Sequence, residues 1–100
     1  MADQRFGPYA LHKEVGRGGM GMVYFAEDTR TGHFVALKVL PDHLSRDPKF
    51  RERFQRECAS LRQLNHPGIP RFCDEGEVDG RLYFAMDYLV QQNKRVAGDD

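Results

Sequence analysis

Residues 15 to 38, VGRGGMGMVYFAEDTRTGHFVALK, constrain the fold of this chain more than any other stretch. Gly16, Gly18 and Gly21 form a G-x-G-x-x-G array closed by Val23. Glycines at this spacing permit a tight turn with positive φ and let backbone N–H groups approach an anion such as phosphate with no Cβ in the way. The same array opens dinucleotide-binding folds, where it leads from a strand directly into a helix. Here it leads into Met22-Val23-Tyr24-Phe25-Ala26, rich in β-branched and aromatic residues, then a polar turn at Asp28 to Gly32, then strand-like residues from His33 to Leu40. The glycines are therefore expected at the tip of a strand-loop-strand hairpin, which does not fit a dinucleotide-dependent oxidoreductase. No G-x-x-x-x-G-K-[ST] occurs, so a Walker-type loop is excluded.

Lys38 sits in an otherwise apolar run, Val35-Ala36-Leu37-Lys38-Val39-Leu40. Such a lysine either snorkels to water or meets an anion, because a buried ammonium without a partner is costly. Downstream, Asp47-Pro48 reads as a helix N-cap with proline in the first turn. Phe50, Phe54, Glu57, Leu61 and Leu64 then recur at helical spacing, while Arg51, Glu52, Arg53, Arg56 and Arg62 mark the other faces. Glu57 is the charge in that apolar stripe. It either lies at the margin and pairs with Arg53, a contact worth a few tenths of a kcal/mol, or meets Lys38 across a sheet-helix interface.

The rest of the chain supplies further strands. Residues 1 to 7 are polar and expected to be loosely held, and Pro8 starts a strand in which Tyr9, Leu11, Lys13 and Val15 alternate with Ala10, His12 and Glu14. Residues 42 to 46 read as a connection. Asn65 to Pro70 breaks the helix, Arg71 to Glu77 and Arg81 to Val90 read as strands, and Asp79-Gly80 is a hairpin turn. The expected organisation is an extension over 1–8, one α+β domain over 9–90 with a five-stranded antiparallel sheet and one main helix, and a polar tail over 91–100.

One hundred residues support one small domain, and fifteen acidic against fifteen basic residues give no net field toward nucleic acid. No apolar run reaches the roughly 18 residues of a membrane span, and MADQRF is not a secretory signal, so a cytoplasmic chain is expected. Cys58 and Cys73 lack C-x-x-C spacing and read as reduced thiols. His12, His33, His43 and His66 show no metal-ligand spacing with them, and no metal site is assigned.

The wording GRGGMGMVY, VALKVLP, RFQREC and LNHPGI, in this order, resembles the small lobe (N-lobe) of protein kinases over residues 9 to 90, most of all the eukaryotic-like (Hanks-type) serine/threonine kinases of bacteria. The resemblance implies an ATP-binding function. Backbone N–H groups of Gly16, Arg17, Gly18, Gly19, Met20, Gly21 and Met22 would cover the phosphates, and Val15, Val23 and Ala36 would enclose adenine. Lys38 would hold the α- and β-phosphates and be oriented by Glu57. Met86 falls at the gatekeeper, Asp87 to Leu89 at the hinge, and Leu61 and Phe72 in the family's hydrophobic column. The family's H-R-D-x-x-x-x-N, D-F-G and A-P-E motifs do not occur. The chain is thus expected to lack a general base and magnesium ligands, to bind ATP weakly with Mg2+ arriving only through the nucleotide, and to be inactive alone. Its expected partners are ATP, a kinase large lobe or a second copy. The alternative is a non-catalytic module docking through the face that a large lobe would cover. A reading frame continuing into the missing motifs favours the enzyme, and a stop after Asp100 the module.

Overall fold

The computed structural model describes residues 4–18, 21–64 and 70–88. The chain runs β1 (Gln4–Phe6), β2 (Tyr9–Gly18), β3 (Gly21–Asp28), β4 (Phe34–Val39), α1 (Asp42–Ser45), α2 (Pro48–Gln63), β5 (Phe72–Val78) and β6 (Arg81–Asp87). All neighbours in the sheet are antiparallel, in the order β1-β2-β3-β4-β6-β5.

Among the described residues the sheet has six strands rather than the expected five. The extension read as loosely held contributes β1, which pairs Gln4, Arg5 and Phe6 with Leu11, Ala10 and Tyr9. Phe6 anchors it, standing edge-on to Tyr83 with ring centroids 5.5 Å apart. Three residues are too few for alternation to be visible, so one aromatic among polar residues was the only available signal. The connection over 42–46 likewise contains α1. Ser45 is fully buried there, accepting from the Leu82 N–H at 3.0 Å and donating to the Pro41 carbonyl at 2.9 Å, so α1 is stitched to β6.

Opposed residues in an antiparallel ladder share a face, which sorts the sheet into two sides. One carries Tyr9, Ala26, Val35, Leu37, Val39, Tyr83 and Ala85, a fully buried cluster joined by Phe6, Leu11, Tyr24 and Val78. The other carries Val23, Ala36, Lys38, Phe84 and Met86. Helix α2 covers part of this second side. Asp47 caps it by accepting from the Lys49 N–H at 3.0 Å, with Pro48 in the first turn as expected. Phe54 and Cys58 pack with Leu40 and Leu82, flanked by Phe50, Phe72 and Phe84. Arg51 pairs with Glu77, and Arg62 pairs with Glu75 at 3.0 Å while lying over the Phe72 ring, tying the helix to edge strand β5.

The buried residues of α2 are Phe54 and Cys58, with Phe50 and Leu61 half-buried on either side of them, and Glu57 is exposed. The cysteine, one residue later, takes the inward position that the sequence pattern assigned to the glutamate. Burial pushes its thiol up to about 11, as suits a small apolar residue rather than a nucleophile.

A polar network crosses the first face. Asp74 accepts from Tyr9 Oη at 2.7 Å, Tyr83 Oη at 3.1 Å and Arg30 at 3.1 Å, and Arg30 also grips Asp28 with two hydrogen bonds. These contacts join β2, the β3–β4 turn, β5 and β6. Burial alone would raise the Asp74 pKa, but the hydrogen bonds from Tyr9 and Arg30 outweigh it and leave the carboxyl below its ordinary value. The Arg30 hydrogen bond likewise lowers Asp28. Burial and then Asp74 raise both tyrosines, Tyr83 to about 12.

Depressed carboxyl pKa values in the folded state mean that the unfolded chain binds more protons around pH 3 to 4. The stabilisation from Asp74 and Asp28 is therefore present above the ordinary value of 3.8 and lost as pH falls below it. The raised tyrosines act at the other end, their contribution complete below 10 and lost as pH climbs toward 12. Denaturant melts across pH should show both flanks, and Asp74→Ala should flatten both while costing about 1 to 3 kcal/mol at neutral pH. Phe54→Ala should cost about 3 to 5 kcal/mol by opening a cavity under α2, a large share of the roughly 5 to 15 kcal/mol available to a domain.

Candidate functional site

The glycine hairpin forms as expected. Gly18 and Gly21 pair across its tip, and Gly19 and Met20 lie outside the described residues. Gly21 holds φ at +117°, and a Cβ there would run into the Val39 carbonyl oxygen and the Leu40 backbone, so no other residue fits. Arg17, opposite Met22, turns its side chain back to Glu14 at 3.0 Å on the surface.

Behind the hairpin the pleat sets out one side of the sheet. Val23 stands opposite Lys38, Lys38 opposite Phe84, and Ala36 opposite Met86. Four of the expected nucleotide residues, Val23, Ala36, Lys38 and Met86, are thus contiguous and half-buried, and Gly16 joins them opposite Val23. Val15 departs from its expected alternation. The ladder slips between Glu14 and Gly16, leaving Val15 in a bulge and 44% exposed.

At the far end of β6, Asp87 and Tyr88 continue toward Leu89, which lies outside the described residues. The Asp87 N–H donates to the Arg71 carbonyl at 2.9 Å and the Tyr88 N–H to the Phe34 carbonyl at 3.3 Å. Two backbone donors of the segment expected to be the hinge are therefore already committed to the protein's own backbone. Sequence reasoning missed the aromatic group beside them, in which Phe25 stacks on Phe34 at 5.1 Å and meets the Tyr88 ring at 4.6 Å. Phe25 and Phe34 were legible only as strand residues on the same face as Ala36. A hollow of about 380 Å³ opens here, lined by these rings with Gly32, His33, Arg71 and Asp87, beside the Asp87–Tyr88 segment rather than over Lys38.

Among the described residues there is no ion pair between Lys38 and Glu57 or between Arg53 and Glu57. Glu57 instead lines a shallow hollow of about 340 Å³ with Ser60, Leu61 and Leu64. Of the two expected column residues, Phe72 stacks with Phe84 at 6.4 Å and Leu61 is half-buried in that hollow. Among the described residues no group of His, Cys, Asp and Glu is arranged to hold a metal ion, and no helix is long and apolar enough to cross a membrane.

The family model for the protein kinase domain matches residues 9–97. Serine/threonine-protein kinase PknE of Mycobacterium tuberculosis is 51% identical over 82 residues, which are 82% of this chain and 14% of that protein. A probable serine/threonine-protein kinase of Streptomyces coelicolor is 52% identical over 87 residues, covering 83% of this chain and 13% of its own length. The chain thus spans a small part of the curated relatives it matches. Among solved structures, the kinase domain of Mycobacterium tuberculosis PknI superposes with a TM-score of 0.76 at 34% identity, over 100% of this chain and 41% of that one. The chain therefore belongs to the protein kinase domain family, as the N-lobe portion of a Hanks-type serine/threonine protein kinase domain.

Proposed function

We propose that this chain is the ATP-holding half of a serine/threonine kinase domain and that it does not transfer phosphate alone. The observation that carries the reading is the contiguity of Val23, Ala36, Lys38 and Met86 on one sheet face behind the glycine hairpin. Val23 and Ala36 offer apolar contact to a base, and the Lys38 ammonium offers charge to the α- and β-phosphates. The hairpin backbone offers N–H groups unscreened by side chains. Mg2+ arrives with the nucleotide and neutralises phosphate charge. The base and the protein ligands to magnesium belong to motifs that this sequence does not contain. Positioning and electrostatics supply nearly all of the acceleration in phosphoryl transfer, so holding the nucleotide is not enough for turnover.

Titration of the chain with ATP and magnesium should give weak, saturable binding, and Lys38→Met should weaken it further. Tight binding, or binding indifferent to Lys38→Met, contradicts this reading. Lys38 and Glu57, unpaired in the arrangement described, are proposed to pair when α2 moves inward over bound nucleotide. A double-mutant cycle on the two residues should give additive stability changes, within about 0.5 kcal/mol, without nucleotide and a coupling beyond that with ATP and magnesium. Additivity in both conditions would rule the pairing out.

A second reading, an interaction module that docks through the uncovered face, is favoured by the hollow at Leu61 and Leu64, the latter 51% exposed. A domain of this size buries only about 60 to 65% of the surface of its unfolded chain and holds little stability in reserve. Light scattering over a concentration series should show self-association that Leu64→Lys with Met86→Lys reduces. A monomer at every concentration speaks against it.

A further inference from the structure

The segment that ends β6 is held from both sides of the sheet, by contacts that the nucleotide reading does not use. On the side of the first core, the Asp87 side chain points with Val35, its register partner, away from Met86 and Tyr88. The Cys73 thiol donates to Asp87 Oδ1 at 3.1 Å, and Arg71 Nε lies 3.5 Å from Oδ2. On the other side, the Tyr88 ring packs on Phe25, which stacks on Phe34. The two backbone N–H groups between these anchors are also spoken for, by Arg71 and Phe34.

The ladder explains how Cys73 reaches this position. β5 and β6 pair Phe72 with Met86 but Asp74 with Ala85, so Cys73 is the extra residue of a bulge. With Phe72 on the face of Met86, Cys73 falls on the opposite face, beside Asp87, and the bulge keeps Asp74 on that face as well. Partial burial first, and the hydrogen bond to Asp87 second, push the Cys73 thiol up to about 12, so it stays protonated and able to donate at neutral pH. The neighbouring Arg71 guanidinium is 73% exposed, and such a pair contributes little by itself. Cys73 is itself exposed, so the hold on the Asp87 carboxylate comes from the thiol and the guanidinium together.

We propose that Asp87 is a positioning residue whose side chain, held by the bulged Cys73, fixes the direction of the backbone that meets the adenine base, with Tyr88 on Phe25 fixing it from the opposite face. This rests on the reading of Asp87 and Tyr88 as part of the adenine-contacting segment. A backbone donor or acceptor that swings loses a directional contact to a base, whereas contacts to phosphate at the distant glycine hairpin are untouched. The clamp therefore governs recognition of the base and leaves phosphate binding alone.

The test compares two probes on the full chain, ATP with magnesium and inorganic tripolyphosphate with magnesium. The wild-type chain should prefer ATP. Asp87→Ala and Cys73→Val should each reduce that preference about five- to tenfold, the scale of one hydrogen bond to a ligand, with tripolyphosphate affinity unchanged. Cys73→Ser, which keeps a donor at that position, should retain most of the preference. An equal loss for both probes would mean that the clamp is merely structural and would overturn the proposal, as would full preference in Asp87→Ala. A wild-type chain with no preference would overturn the adenine reading itself, and this inference with it. Should the two disruptive variants fail to fold, amide hydrogen exchange on the milder Asp87→Asn variant, compared with the wild-type chain, decides. Faster exchange at the Asp87 and Tyr88 amides with the β6 interior unchanged supports the clamp, and exchange unchanged from wild type contradicts it.

Discussion

Strand β4 lies between β3 and β6, so both its edges are hydrogen-bonded and its side chains have only the two faces of the sheet to choose between. Val35, Leu37 and Val39 take one face and are buried, while Ala36 and Lys38 take the other and are half-buried. Because the period is two, a slip of one residue would send Lys38 into the apolar cluster and expel Leu37 to the cleft. An unpaired ammonium in that cluster would be far costlier than any gain from packing Ala36 there. This asymmetry fixes the register of β4, and through the ladder it fixes which residues of β3 and β6 accompany Lys38.

Helix α2 closes one end of the same face. Its hold on the sheet comes mainly from Phe54 and Cys58 against Leu40 and Leu82, with Phe84 and Phe72 alongside. The Arg51–Glu77 and Arg62–Glu75 pairs are partly exposed and add modestly, but they connect the helix to the edge strand and set its rotation. With that rotation Cys58 faces inward and Glu57 does not. The sheet's other face is locked independently by the Tyr9–Asp74–Tyr83–Arg30 network, in which a single carboxylate oxygen serves three donors.

Much of this was legible in the sequence because the relevant signals are local. The glycine spacing with strand residues after it gave the hairpin, Asp47-Pro48 gave the start of α2, and Asp79-Gly80 gave a turn whose two residues both hold positive φ. The single apolar-flanked lysine marked the face that Val23, Ala36 and Met86 share. What was not legible depended on departures from ideal periods. Bulges at Val15 and Cys73 break the alternation that strand reading relies on, and the second leaves Asp74 on the face opposite to the one that counting from Phe72 would give it. The rotation of α2 turned on one residue, because Glu57 and Cys58 are adjacent and fit helical spacing about equally well. β1 was hidden by its length, and the Asp74 network by the distance in sequence between its members.

The central claim is that one face of the sheet, and not the other, meets nucleotide. Residue-resolved NMR shift mapping during addition of ATP with magnesium addresses it directly. The account expects the shifts to concentrate at Gly16, Gly18, Gly21, Val23, Ala36, Lys38 and Met86, with Val35, Leu37, Val39 and Tyr83 nearly unmoved. Shifts centred on those core residues, or spread evenly across both faces, would contradict it.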